Sequence, residues 1–222
     1  MTEGILLVAY GEKYLKEIEV CCPRIEAVWP GVAIHVEQGP EAGHPVMLAR
    51  LDAMIASPFD RTMYMDVDSW LVEPMPEVFE LLARFDIALT HCDYRQVYPV
   101  DAPASFPEYN GGLIVWCKNK KTDTFFADWR RRFLRDHATR YDEKKVSWFP
   151  SQPSLREALF HSDVRIATLP SEYHWTGIGY VQGKVKLVHK RPNAIGEAER
   201  INQHAGEQRA AIIWGEPMVM RW

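Results

Sequence analysis

The strongest constraint on the fold is a hydrophobic period that keeps switching between strand-like and helix-like along the first third of the chain. The runs "ILLVAYG", "VAIHVEQG" and "RTMYMDVD" are short, apolar and closed by glycine or by acids, as buried strands are. Between them, "EKYLKEIEVCCPRIEAVW" carries Tyr14, Leu15, Ile18, Cys21, Cys22 and Ile25 at helical spacing, with Pro23 expected to kink or end the helix. Residues 46–56, "VMLARLDAMIA", repeat the pattern through Met47, Leu48, Leu51, Met54 and Ile55. A β-α-β-α-β order predicts an α/β fold: a mainly parallel central sheet flanked by helices. In such sheets ligands collect beyond the carboxyl ends of the strands.

The third strand ends in "YMDVDSWL". Alternation would send Asp66 and Asp68 to the same face. Two neighbouring carboxylates repel each other and resist desolvation unless a cation lies between them. Their oxygens suit a hard divalent ion, Mn²⁺ or Mg²⁺, of the kind that also binds substrate phosphates. The plainer alternative is that the strand has already ended and both acids sit in solvated loop. Even that loop lies over the expected ligand edge.

Downstream, "PMPEVFELLARF" reads as a helix with Pro76 in its first turn and an apolar stripe of Val78, Leu81, Leu82 and Phe85. "DIALTH", "GGLIVW", "VRIATL", "VKLVH" and "AAIIW" read as further strands. "TDTFFADWRRRFLRDH" is an amphipathic helix burying Phe125, Phe126, Trp129 and Phe133, with Arg130, Arg131, Arg132 and Arg135 on a solvated face. "SQPSLREALF" opens with Pro153 and a Ser154 to Glu157 capping box.

The formal charge of −4 argues against a general polyanion binder. Cys21, Cys22, Cys92 and Cys117 match no zinc or redox spacing and read as reduced, which predicts a cytoplasmic protein. The opening apolar run is a buried strand and no signal peptide, and no stretch approaches the ~20 apolar residues of a membrane span. With neither internal repeat nor linker, residues 1–222 are expected to form one domain, with 191–222 as a C-terminal extension.

The segment "SPFDRTMYMDVDSWLVEPMPEVFELLARFDIAL", followed by "YNGGLIVW", resembles the GT-A nucleotide-sugar glycosyltransferases, notably the retaining, glycogenin-like and galactosyltransferase-like group. The likeness extends to the opening β-α-β unit and to "SQPSLREALF", "LPSEYHW" and "VKLVH" in the same order. It implies a metal-dependent enzyme that moves a sugar from a nucleoside-diphosphate sugar, a UDP-sugar above all, with retention. The acceptor is left open among saccharides, lipid-linked sugars, proteins and modified nucleobases.

Residue by residue, the resemblance assigns Asp66 and Asp68 to the metal, Asp66 also reaching the donor ribose, and His189 to the C-terminal metal histidine. Lys190 and Arg191 would contact the diphosphate, although "HKRPNAI" lacks the glycine and lysine usual after that histidine. Arg50 would reach the donor phosphate or sugar, and Tyr10 and Tyr14 would border the base. Asn110, Gly111 and Gly112 would form the turn beside the donor sugar. Gln152 stands where relatives carry Asp-Gln, with Ser151 in place of the acid. The missing carboxylate's role would fall to Asp93 or Glu108. Tyr173, His174 and Trp175 match a loop in which Trp175 would stack on a sugar or pack as core. Rival readings are a sugar-nucleotide or glycan binder without turnover and a phosphatase with a strand-end D-x-D. A third is a pyrophosphorylase, which the lack of a Gly-rich loop in "VAYGEKY" disfavours.

Overall fold

The computed structural model describes residues 1–39, 46–92, 100–144, 151–177, 179–181, 183–189, 194–204 and 210–212. In chain order the elements begin β1 (Glu3–Tyr10), α1 (Glu12–Val28), β2 (Ile34–Gly39), α2 (Val46–Ala56), β3 (Arg61–Met65), β4 (Ser69–Leu71) and α3 (Glu77–Glu80). They continue with β5 (Ile87–His91), β6 (Tyr109–Cys117), α4 (Lys120–Lys144), α5 (Gln152–Phe160) and β7 (Ile166–Leu169). The last are β8 (Gly179–Val181), β9 (Leu187–His189), α6 (Ala194–His204) and β10 (Ala210–Ile212).

The central sheet has the order β2-β1-β3-β6-β5-β7. Pairings of β1 with β2 and β3, and of β5 with β7, are parallel, and only β6 runs against its neighbours. The expected α/β architecture is therefore present. Strand alternation divides the core cleanly. Ile5, Leu7, Met63, Met65, Leu113 and Val115 point to the face covered by α1 and α3. Leu6, Val8, Tyr64, Ile114 and Trp116 point to the other, which α2, α4 and α5 cover through Leu51, Met54, Phe125, Trp129, Phe133 and Leu155.

Several local expectations fail for identifiable reasons. Pro23 does not end α1, which runs on to Val28 with Ile25 fully buried beneath it; core burial outweighs the one backbone bond a proline forfeits. The helix after Pro76 is only Glu77–Glu80 plus a 3-10 turn at Leu81–Ala83. No capping box forms at α5: Ser154 Oγ donates to Ser151 O, and Glu157 is engaged by arginines instead. The arginine run is a solvated face only in part: the Arg131 side chain is 63% exposed, whereas Arg132 is 9% exposed.

Two short strands matter more for the site: β4, which the sequence pattern did not announce, and β9, the end of the expected strand "VKLVH". β4 pairs antiparallel with β9, setting Ser69 opposite His189 and Leu71 opposite Leu187. Trp175 clamps β9 from its other side, donating its N–H to Leu187 O and accepting from His189 N–H at 2.9 Å. Trp175 is thus core, 1% exposed among Val181, Val185, Val188 and Ala198, rather than a sugar platform. None of the described helices is long and apolar enough to cross a membrane.

Candidate active site

Asp66 and Asp68 do not share a strand face. β3 stops at Met65, and a tight turn follows in which Ser69 N–H donates to Asp66 O at 2.9 Å. The turn, and not alternation, brings the carboxylates together. It is held to the sheet by Asp66 N–H donating to Gly112 O at 2.9 Å. Because β4 begins directly after this turn, its register with β9 delivers His189 beside the acids. One ligand atom each from Asp66, Asp68 and His189 lie within 4.8 Å of one another.

The two acids have different surroundings. Asp66 Oδ1 accepts from Arg50 Nη1 at 3.0 Å and from the Tyr64 hydroxyl. Arg50 also donates Nη2 to Ser151 Oγ at 3.1 Å, and its guanidinium lies over the Tyr64 ring. Burial works against the Arg50 charge, but Tyr64 and Asp66 outweigh it and hold its pKa above the ordinary arginine value. Burial likewise pushes the Tyr64 hydroxyl well above the usual phenol range, so Tyr64 remains a donor. Asp68 forms no ion pair with a described lysine or arginine. Burial first, and then the Asp66 charge, raise its pKa, with His189 pulling the other way.

The start of β6 lies against this turn, and Asn110 Oδ1 accepts from Gly112 N–H at 2.9 Å. A Cβ on Gly112 would stand 2.8 Å from Asp66 Oδ2 and 2.9 Å from His174 Nε2, so only glycine lets these groups approach. A Cβ on Gly111 would meet Arg50 Nη2 at a milder 3.4 Å. His174 is 3% exposed in the 3-10 turn Ser171–His174, its ring 5.3 Å from that of His189. Burial, reinforced by His189, lowers its pKa to about 3 against the pull of Asp66, so the ring is neutral.

The structure therefore gathers Asp66, Asp68, His189, Arg50, Gly111 and Gly112, together with Asn110. Tyr10 closes β1 with its hydroxyl donating to Glu37 at 3.1 Å and its ring against Gly39, while Tyr14 packs on the α1 face of the core. Gln152, at the start of α5, donates Nε2 to Cys92 Sγ. Glu108 is buried at 5% exposure, and Tyr173 donates its hydroxyl to Glu77 at 2.8 Å. Asp93, Lys190 and Arg191 lie outside the described residues. Two members were given no role by sequence reasoning. Tyr64 had an available signal, lying two residues before Asp66 and hence on its side of the strand. His174 had none beyond its place in a loop.

No protein-family model and no curated protein sequence matches the chain. Solved structures do. The chain is similar to the galactosyltransferase LgtC, solved with donor and acceptor sugar analogs. The TM-score is 0.59 at 14% identity, and the match covers 96% of this chain and 97% of that one. It is also similar to the glycosyltransferase GlyE of Streptococcus pneumoniae TIGR4, with TM-score 0.55 and 15% identity over 91% of this chain and 50% of that one. With its reversed β6, its strand-end acid pair and these neighbours, the chain has the fold of the GT-A nucleotide-sugar glycosyltransferases.

Proposed function

We propose that the protein is a metal-dependent glycosyltransferase that takes a sugar from a nucleoside-diphosphate donor, a UDP-sugar first among them, with retention. The observation that carries this reading is the convergence of Asp66, Asp68 and His189 at the carboxyl edge of such a sheet. The residues fit a divalent ion. Arg50 serves Asp66, whereas Asp68 has its pKa raised by burial and by a like charge, the deficit that a cation would fill. The donor set of two carboxylates and one imidazole suits Mn²⁺ better than Mg²⁺. When bound, the ion offsets charge on the departing nucleoside diphosphate.

The chain's own residues have separable tasks in this reading. Arg50 and Tyr64 fix the Asp66 carboxylate by its Oδ1 edge. Gly111 and Gly112 open the β6 backbone to the sugar, and Asn110, its carbonyl spent on Gly112, keeps an amide donor for a sugar hydroxyl. Tyr10 and Tyr14 border the base, Gln152 faces the sugar from α5, and Asp93, Lys190 and Arg191 complete the sugar and diphosphate contacts. Residues 1–222 act as one transferase domain extended from 191 onward. Four free cysteines suit a reducing, cytoplasmic setting. The acceptor is a saccharide, lipid-linked sugar, protein or modified nucleobase.

A second reading, donor binding without turnover, draws on the Arg50 to Ser151 bond, since a neutral hydroxyl there lacks the charge and basicity of the carboxylate it replaces. Thermal shifts with Mn²⁺ and a panel of nucleoside diphosphates and their sugars test the main reading. One nucleotide class should raise Tm, and Asp68→Ala or chelator should abolish the rise. No shift with any class overturns the donor assignment. Slow release of free nucleoside diphosphate from the donor, lost in Asp68→Ala, decides for turnover and against the silent binder.

A further inference from the structure

Among the buried polar groups outside the proposed ligands, His174 stands apart. Both ring nitrogens are fully enclosed, and neither has a hydrogen-bond partner among the described residues. Leaving a buried polar atom unpaired is costly, and an imidazole has two. The ring is not there to fill space indifferently, since a phenylalanine or leucine would fill it without that penalty.

Its position shows what it faces. Asp66 Oδ1 is occupied twice, by Arg50 and by Tyr64, which leaves Oδ2 as the oxygen available to an ion. Oδ2 and the Nε2 edge of His174 flank one point above Gly112, at 2.8 and 2.9 Å. The His174 ring also lies edge-on to that of His189, whose Nδ1 is itself buried and without a hydrogen-bond partner among the described residues. One neutral imidazole is therefore a neighbour of two of the three proposed ligands. It is not one of the residues whose ligand atoms cluster within 4.8 Å.

We propose that His174 is a positioning residue of the metal site. It donates a ring N–H to Asp66 Oδ2 when an ion is held there, and braces the His189 ring against rotation. This rests on the glycosyltransferase reading only through the metal that reading requires. Groups that orient metal ligands in this way typically change metal affinity by about 10- to 100-fold when removed.

The test measures Mn²⁺ binding by EPR titration, with and without UDP, for the wild type, His174→Phe, His174→Leu and His174→Asn. Metal-free melting temperatures identify the variants that fold. The two variants without a donor should bind Mn²⁺ at least about 10-fold more weakly, whereas His174→Asn, which keeps an N–H, should recover most of the affinity. Pulsed EPR of the bound ion should show one imidazole nitrogen environment in the wild type and in the folded variants. Wild-type affinity in a folded donor-less variant overturns the proposal, as does equal loss in His174→Asn. Two imidazoles on the wild-type ion also overturn it, by making His174 a ligand, and this readout decides the matter if neither donor-less variant folds. A wild type that binds no Mn²⁺ in either condition removes the metal itself, an outcome distinct from unchanged variants of a metal-binding protein.

Discussion

The α4–α5 contact and the turn after β3 both draw acids and bases out of water, and they end in opposite electrostatic states. Between α4 and α5, Glu157 accepts from Arg135 through both oxygens, at 2.9 and 3.0 Å, and pairs with Arg132 as well. Arg132 also reaches Asp128, and Arg135 reaches Asp136 at 2.7 Å. Burial pushes the Glu157 pKa up, but the two arginines more than reverse this and leave it below the ordinary value. After β3 the outcome is the reverse: Asp68 is raised, because burial and Asp66 act in the same direction and no arginine among the described residues opposes them. A cluster that closes its own charge balance reads as structure. One that leaves a deficit at the ligand edge of a sheet reads as a site.

The largest effect should come from breaking the balanced cluster. Glu157→Gln leaves Arg132 buried with one fewer counter-charge, and removing one partner of a buried ion pair costs about 3 kcal/mol. For a chain of this length that corresponds to a Tm fall of roughly 6–12 °C by calorimetry. The pH dependence has a definite sign. A carboxylate held below its ordinary pKa adds stability that is present above the unfolded value, near 4.3, and lost as pH falls through the folded one. The wild type should therefore lose stability below about pH 4.3 more steeply than Glu157→Gln does. Equal slopes in denaturant titrations across that range would mean the cluster contributes no net stability.

A smaller effect separates the two glycines that open β6. A methyl group on Gly112 must displace Asp66 Oδ2 or the His174 ring, whereas on Gly111 it meets the end of Arg50 at 3.4 Å and Leu155 at an ordinary contact distance of 3.7 Å. Gly112→Ala should cost on the order of 1–3 kcal/mol of stability and weaken Mn²⁺ binding, while Gly111→Ala changes both little. Comparable behaviour of the two variants would show that the approach of Asp66 to Gly112 is not what sets the site.

Much of this was legible in the sequence, and the gaps have a common cause. α2 has the expected bounds of 46–56, and β1, β2 and β3 fall on the three short apolar runs, because both signals are local. The three-residue strand β4 carries too little pattern to read, and only its pairing with β9, the end of the expected "VKLVH" strand, gives it meaning. His189 was reached by resemblance, but the reason it lies beside Asp68 is that long-range register. The arginine run was misjudged likewise at Arg132, whose counter-charge Glu157, unlike Asp128, lies far away in the chain, so no window around α4 could reveal it.

The smallest effect is also the sharpest form of the comparison. If the Asp68 deficit exists to be filled by a ligand, the metal-free protein is held at a disadvantage at neutral pH. A carboxylate whose pKa is raised on folding withdraws stability as pH climbs through that raised value. Asp68→Asn keeps the shape of the side chain, removes the repulsion with Asp66 and should stabilise the chelated protein by about 0.5 kcal/mol, a gain typical of relieving an active-site compromise. With Mn²⁺ and UDP present the order should invert, the wild type gaining Tm by linkage and Asp68→Asn gaining little. Glu157→Gln offers the control, since it should lose stability with and without Mn²⁺ and UDP. If Asp68→Asn is instead destabilised in chelator, then Asp68 holds the turn after β3 together by itself, and the contrast between a balanced cluster and an open one loses its basis.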